Sequence, residues 1–356
     1  CFFRRAATDR SHRDVGRVII GSRRGHRPRL GVVGTLVWDT IHRRDTRVHP
    51  VEEWGGIAYA LAALDAALPP EWEIVPLVRV GRDLSEPALR FLRTSSDRFD
   101  LDTGLRIVPE PNNRVELHYT PEGRRTERLT GGVSPWSWPA LAPAARSCDA
   151  LYVNFISGFE MDVDAARALR AGFEGPTYAD LHSLFLGIGR AGVRVPRELP
   201  SWGAWLRAFD AVQMNEAEFD LLGRAWGDPW QLAAEVVGPE LKLITVTLED
   251  RGAAWVASAD FDADPDTWPT SRHGVGRAGT VRSGRVGVDA GRRDGDPTGC
   301  GDVWGATFFS RLLAGDGLEP AMRTANRRAA LNVEHRGARG LTDHLHGRIA
   351  TDPGDR

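Results

Sequence analysis

The sequence predicts a three-layer α/β/α fold with a mostly parallel central sheet and a small β lid. Three observations predict it. From Arg29 onward, short apolar runs alternate with helix-like segments. One stretch, residues 105–130, breaks that rhythm with short extended pieces. The chain has 356 residues, 42% hydrophobic and 26% charged, which suffices for one large domain to bury a core without staples.

The apolar runs at 30–33, 74–80, 150–155, 211–214 and 243–248 read as buried strands. Helical patterns lie between them, near 56–68, 84–92, 162–171, 216–222 and 229–237. Alternation of the two implies βαβ units and a sheet covered on both faces. Pro76 cannot donate to a ladder, so its strand is expected at an edge or a bulge. Residues 105–130 divide into pieces at 105–108, 114–120 and 126–130, the last two joined by Pro121-Glu122-Gly123. Val115, Leu117 and Tyr119 alternate with polar residues, the mark of a hairpin with one apolar face, either a plain surface hairpin or a lid over a cleft. Residues 258–296 read as loop with a little strand at 286–288. Residues 1–28 are arginine-rich and lack apolar periodicity, so they are read as an extension outside the fold. The domain is then 29–345, followed by a tail at 346–356.

Several function classes are excluded early. The formal net charge is −2, which steers the molecule toward neither nucleic acid nor anionic lipid. No apolar run approaches the ~18–20 residues of a membrane span. Cys1, Cys148 and Cys300 are far apart, so neither a zinc knuckle nor a disulfide framework is indicated, and a reducing cytoplasm fits. His344 and His346 have no acidic or cysteine partner at metal spacing. Lys242 is the only lysine, and neither GxxxxGK(S/T) nor VAIK occurs, which removes P-loop enzymes and protein kinases. Gly187 to Gly192 spell GxGxxG, but Val193, Val195 and Pro196 follow at once, so no helix can start there to hold a dinucleotide.

The most informative segment is Asp296-Pro297-Thr298-Gly299-Cys300-Gly301-Asp302, which opens an apolar-periodic helix. The first turn of a helix has unpaired N–H groups and the positive end of the dipole. Gly299 and Gly301 let the backbone approach a ligand closely, so Gly299, Cys300 and Gly301 form a candidate anion hole for a phosphoryl group. Asp302 lies beside that hole, where a carboxylate can take the proton of an attacking hydroxyl. Asn215 and Glu218 follow a buried strand at the spacing of a capping box.

The seven residues 296–302 resemble the C-terminal signature of the PfkB/ribokinase family of carbohydrate kinases, usually DTxGAGD, with departures at Pro297 and Cys300. The resemblance spans roughly 29–342, with the motifs in the family's order. It implies a ribokinase-like fold and an ATP-dependent, Mg²⁺-assisted phosphorylation of a small acceptor's hydroxyl. It further implies that Asp302 is the catalytic base and that Asp39, after Gly34-Thr35-Leu36-Val37-Trp38, contacts the acceptor with Gly55 and Gly56. Asn215 and Glu218 match its NxxE, which positions Mg²⁺ through water. Thr247 and Gly252 fall in its nucleotide loop, and Asn326 corresponds to an asparagine lining the adenine pocket. A homodimer through the β lid is a further expectation. Departures are specific: Ala60 stands where an acceptor-contacting amide is common, Glu249 replaces a glycine, and His182 stands where Asp-x-Asn is common. Trp38, Trp54 and Tyr59 are candidate stacking partners should the acceptor be a nucleoside or pyrimidine derivative.

Overall fold

The computed structural model describes residues 27–42, 49–119, 125–224, 226–273, 280–288 and 295–348. The expected extension and tail lie almost wholly outside the described residues, as does the Pro121-Glu122-Gly123 turn. The strands are β1 (Arg29–His42), β2 (Val51–Gly56), β3 (Glu73–Gly81), β4 (Arg106–Val108), β5 (Arg114–Tyr119), β6 (Arg125–Thr130) and β7 (Ala150–Asn154). They continue as β8 (Thr177–Asp180), β9 (Leu186–Ile188), β10 (Arg194–Pro196), β11 (Ala211–Asn215), β12 (Leu243–Thr247), β13 (Ala253–Ser258) and β14 (Val281–Val286). The helices are α1 (Ile57–Ala67), α2 (Ser85–Ser95), α3 (Leu101–Gly104), α4 (Trp138–Ala145), α5 (Val163–Gly172) and α6 (Trp202–Arg207). After them come α7 (Glu216–Gly223), α8 (Pro229–Val236), α9 (Cys300–Leu313), α10 (Leu318–Val333) and α11 (Leu341–Leu345).

The central sheet runs β14-β13-β12-β11-β8-β7-β1-β3-β4. It is parallel from β12 to β4, and β13 and β14 close one side antiparallel. One face packs on α1, α9, α10 and α11, around Leu61, Trp304, Phe308 and Met322. The other packs on α4 to α8, around Leu141, Leu169, Trp205 and Phe219. Both faces of each inner strand are therefore buried, which is why these strands read as continuous apolar runs. All five expected strands and all five expected helices form.

Three features differ from expectation, each for a physical reason. The first strand was legible only over 30–33, but β1 runs on unbroken to His42. Its second half leaves the central sheet, pairing antiparallel with β2 and parallel with β5. With β6 on β5, this makes a lid of four strands, β2-β1-β5-β6. Residues 105–108 do not join that lid. They form β4, the outer strand of the central sheet beside β3. The strand near 286–288 is instead β14, which ends at Val286; only that residue of it is buried, so alternation was hidden. Pro76 lies in the penultimate strand, yet β4 begins pairing only at Arg79, so the edge expected at Pro76 is locally present. The GxGxxG segment forms β9, a turn and β10, with no helix following its glycines.

One buried ionic knot ties the amino ends of β8 and β11. Asp210, 0% exposed, accepts hydrogen bonds from Arg170 Nη1 (2.6 Å), Arg272 Nε (2.8 Å) and the Thr177 N–H and hydroxyl (2.9 Å each). Burial alone favours the neutral acid, but the hydrogen bonds and charges of Arg272 and Arg170 outweigh it and hold Asp210 below the usual carboxylate range.

Candidate active site at the carboxyl edge of the sheet

The phosphate cradle begins with a side-chain turn. Asp296 Oδ1 accepts from the Thr298 N–H (2.9 Å) and hydroxyl (2.6 Å), which swings the chain into α9. Gly299 caps the helix at φ +78°, and a Cβ there would lie 2.3 Å from the Tyr59 ring. Only glycine satisfies both conditions. Cys300 departs from its expected role, because its N–H donates to Pro297 O (3.1 Å) and is spent inside the turn. Its thiol points between helices toward Ala329 O (3.4 Å), and burial pushes it up to about 11, so it is a packing group. Gly299 and Gly301 remain as the open backbone at the helix start. Gly301 is exposed, with Gln213 Nε2 the nearest atom to its would-be Cβ at 3.9 Å.

Asp302 follows in the first turn of α9. Asn154, fully buried at the end of β7, donates its amide to Asp302 Oδ1 at 2.7 Å. Gln213 in β11 donates to Gly301 O and to Asp180 Oδ2, both at 3.0 Å, and accepts from the Tyr178 hydroxyl at 2.9 Å. The helix start is thus bolted to three neighbouring strands. Sequence reasoning missed both Asn154 and Gln213. Their signal was a polar residue within or ending an otherwise apolar strand, where burial demands a partner.

Asn215 and Glu218 make the expected capping box. Asn215 Oδ1 accepts from the Glu218 N–H (2.9 Å), and Glu218 Oε2 accepts from the Asn215 N–H (2.8 Å). Glu218 Oε1 also takes the Asn215 amide (2.7 Å) and His182 Nδ1. Burial opposes a charged imidazole, but the Glu218 charge and hydrogen bond, with Asp180 and Asp302 beyond, push His182 up to about 10. Burial pushes Asp180 up to about 8; the His182 charge pulls it down, while Asp302 and Glu218 push it up. Glu218 is 6% exposed and both its oxygens are engaged, and among the described residues no group of three His, Cys, Asp or Glu side chains is arranged to hold a metal. The donor set therefore fits Mg²⁺ only in an outer shell, with the ion carried by phosphates and water.

On the acceptor side, Asp39 does not end its strand as expected. It lies within β1, on the lid, directly across from Glu53 of β2. It is 6% exposed and covers Gly55, where a Cβ would sit 1.8 Å from Asp39 Oδ2. Gly55 and Gly56 end β2, and Gly56 turns the chain into α1 at φ +62°. Trp38 and Trp54 pair edge to face at 4.9 Å, with Trp54 against Phe91. Strand alternation puts both on the lid face opposite Asp39, where Trp54 is in the core and Trp38, partly buried, packs against it. Of the three aromatic candidates, Tyr59 alone reaches the cradle. Ala60 is fully buried in α1.

On the nucleotide side, Thr247 ends β12 half-buried. Gly252 has φ +91°, and a Cβ there would lie 2.1 Å from Val286 O. Glu249 adopts φ +53°, the left-handed conformation a glycine would take without strain, and its side chain is exposed. Asn326 does not line an open pocket. It is 5% exposed, accepts from Trp304 Nε1 (2.7 Å) and donates to Val286 O (3.1 Å) and Gly287 O (3.0 Å), so it props the loop after β14. Lys242 lies at the start of β12, bonded to Pro239 O (2.8 Å), away from these groups. A separate cleft of about 630 Å³, lined by Asp65, Arg98, Arg311 and His346 among others, includes none of the motif residues.

The chain is similar to ribokinase from Thermotoga maritima, with a TM-score of 0.64 at 15% identity over 91% of this chain and 99% of that one. The chain has the ribokinase fold. It is also similar to a nucleoside kinase from Burkholderia thailandensis in complex with inosine, with a TM-score of 0.63 at 17% identity, covering 92% and 99% of the two chains. Ribokinase from Cryptococcus neoformans in complex with ADP gives 0.63 at 16% identity over 91% and 100%. No family model and no curated protein matches the sequence. Among the described residues, no helix is long and apolar enough to cross a membrane.

Proposed function

We propose that this chain is an ATP-dependent kinase that phosphorylates a hydroxyl of a small sugar or sugar-like molecule. The observation that carries the reading is Asp302, held by Asn154 at 2.7 Å in the first turn of α9, beside the open backbone of Gly299 and Gly301. The acceptor O–H gives its proton to Asp302 as its oxygen bonds the γ-phosphorus; the bond to the β,γ-bridging oxygen breaks and ADP leaves. The helix N-terminus receives the charge that develops on the phosphoryl oxygens. Mg²⁺, when bound, supplies charge neutralisation on the donor's phosphates. Glu218 and Asn215 would orient its waters. The lid supports exclusion of water from the cleft.

Against the nucleoside alternative, two of its three aromatic candidates, Trp38 and Trp54, pack on each other and on the core at the face opposite Asp39, and Tyr59 alone does not make a base sandwich. A ligand-binding homologue without turnover rests on Glu249 and Ala60, and an intact Asp302 speaks against it. The test is Asp302→Asn in a coupled ADP-release assay over a panel of sugars. General-base catalysis contributes about 10²–10⁴-fold, and kcat falls by that much while the melting temperature holds. A folded variant with unchanged kcat removes Asp302 from the mechanism.

A further inference from the structure

Two polar groups beneath the start of α9 lack a match. The first is the Asn154 oxygen. Asn154 is fully buried and spends its amide N–H on Asp302 Oδ1 at 2.7 Å, yet its own Oδ1 is buried without a hydrogen-bond partner. A buried carbonyl oxygen ordinarily has a donor. Because the Asp302 carboxylate only accepts, the amide cannot be turned round to hide the orphan.

The second is the Asp180 carboxyl. It is 3% exposed and accepts from two neutral donors, the His182 N–H (3.1 Å) and Gln213 Nε2 (3.0 Å). It makes no ion pair among the described residues, whereas the similarly buried Asp210 holds two arginines. The nearby His182 imidazole is already engaged by Glu218. A buried carboxyl without a counter-charge of its own favours its neutral form. Burial is the main reason that Asp180 titrates at about 8; His182 opposes the rise, and Asp302 from α9 and Glu218 from α7 add to it. The phenols of Tyr152 and Tyr178 also face Asp180, and burial pushes both well up, so they stay neutral. Asn154 and Asp180 are register partners in the parallel pair of β7 and β8. Their side chains therefore stand side by side on the face that α9 covers, in the rows of Tyr152 and Tyr178.

We propose that Asp180 is a neutral carboxylic acid at neutral pH, donates its O–H to Asn154 Oδ1, and so acts as a positioning residue for Asp302. One proton then serves both unmatched groups. The acid fixes the Asn154 oxygen, Asn154 presents its N–H to Asp302 Oδ1, and the bonds polarise one another toward the base. A neutral Asp180 also leaves Asp302 to ionise without a second charge beside it. Loss of the proton sets two acceptors against each other and restores that charge. The relay is therefore intact below about 8 and fails as pH rises through that value. This role rests on the kinase reading above; the proton does not.

Infrared spectroscopy of the protein alone reads the proton. The carbonyl stretch of a carboxylic acid is expected in the native spectrum at about pH 6.5, lost at about pH 9.5, and missing at both in Asp180→Asn and Asp180→Ala. A native-minus-variant spectrum without that band at the lower pH overturns the proposal, whatever the protein phosphorylates. ADP release with ribose, fructose, glucose and inosine reads the role. The native kcat is expected to fall on the alkaline side at about 8. Asp180→Asn, whose amide N–H replaces the acid proton, is expected to keep most of the rate and to lose that limb. Asp180→Ala has no donor and is expected to lose about tenfold in kcat at every pH, the scale of one buried hydrogen bond. An alkaline limb that persists in Asp180→Asn overturns the relay, as does a native rate in Asp180→Ala. An acid band that behaves as expected, with no turnover of any acceptor, keeps the neutral acid and overturns the kinase reading instead.

Discussion

Asn154→Asp replaces one amide by a carboxyl of nearly the same shape and tests how Asp302 is held. In the native protein the amide donates to Asp302 Oδ1 at 2.7 Å and so favours the charged form of the base. The variant puts a second carboxylate at that separation. With an effective dielectric constant of about 20, two unit charges 2.7 Å apart repel by about 6 kcal/mol. The pair relieves this by sharing one proton, as closely placed carboxylates do. One of its two apparent pKa values then rises, because like charges so close cannot both ionise freely. The assay is the pH dependence of kcat/KM for an accepted sugar. Its acid limb is expected to move to higher pH, with much of the activity regained at high pH. Thermal unfolding at each pH separates this effect from loss of fold. A profile that superimposes on the native one refutes the argument that Asn154 sets the state of the base.

Two further perturbations address the scaffold. Arg272→Ala leaves Asp210 buried with half of its counter-charge, which costs about 3–5 kcal/mol by thermal or urea unfolding. Because Asp210 is held below its ordinary value, its contribution is present above about pH 3.9 and is lost as pH falls through the depressed folded value. The native acid-unfolding limb is therefore steep there, and the variant's is shallower; equal limbs would show that Arg170 alone suffices. Glu218→Gln keeps the cap geometry but removes the charge beside His182 Nδ1. An NMR titration is expected to bring that imidazole down from about 10 toward its ordinary range, with little change in melting temperature. If it stays near 10, Asp180 and Asp302 hold the proton instead.

What was legible in the sequence was what local rules decide. The inner strands are buried on two sides, so Ala150 to Phe155 and Leu243 to Leu248 announced themselves by composition. The cradle was legible because a helix start, two glycines and an acid are contiguous. The Asn215–Glu218 box is likewise local, and it formed. The lid half of β1 was not legible, since Thr35, Trp38, Asp39 and Thr40 make no apolar run, and a strand is defined there by partners far along the chain. The packing of Trp38 and Trp54 on each other was hidden for a related reason. Their type suits stacking, but the face they occupy depends on a register that the sequence does not display. Asn326 was expected to meet a ligand and meets Trp304 and the backbone after β14, a choice made by tertiary contacts alone.

The unbroken course of β1 fixes where this fold is able to flex. Its hydrogen bonds to β3 end at Thr35 and those to β2 begin at Leu36, so the strand changes partners within one residue step. At that step the buried Asn112 acts as a rivet: its amide donates to Leu36 O (3.0 Å) and its oxygen accepts from Gly81 N–H (3.0 Å), joining lid root to the end of β3. The lid is thus a cantilever with a clamped base. Bending, where it occurs, is confined to the outer span beyond Val37, which carries Asp39 and Glu53. The stiffness of one backbone segment then governs how the lid moves over the carboxyl edge of the sheet, while Asp302 and its neighbours, held on the sheet itself, stay in place.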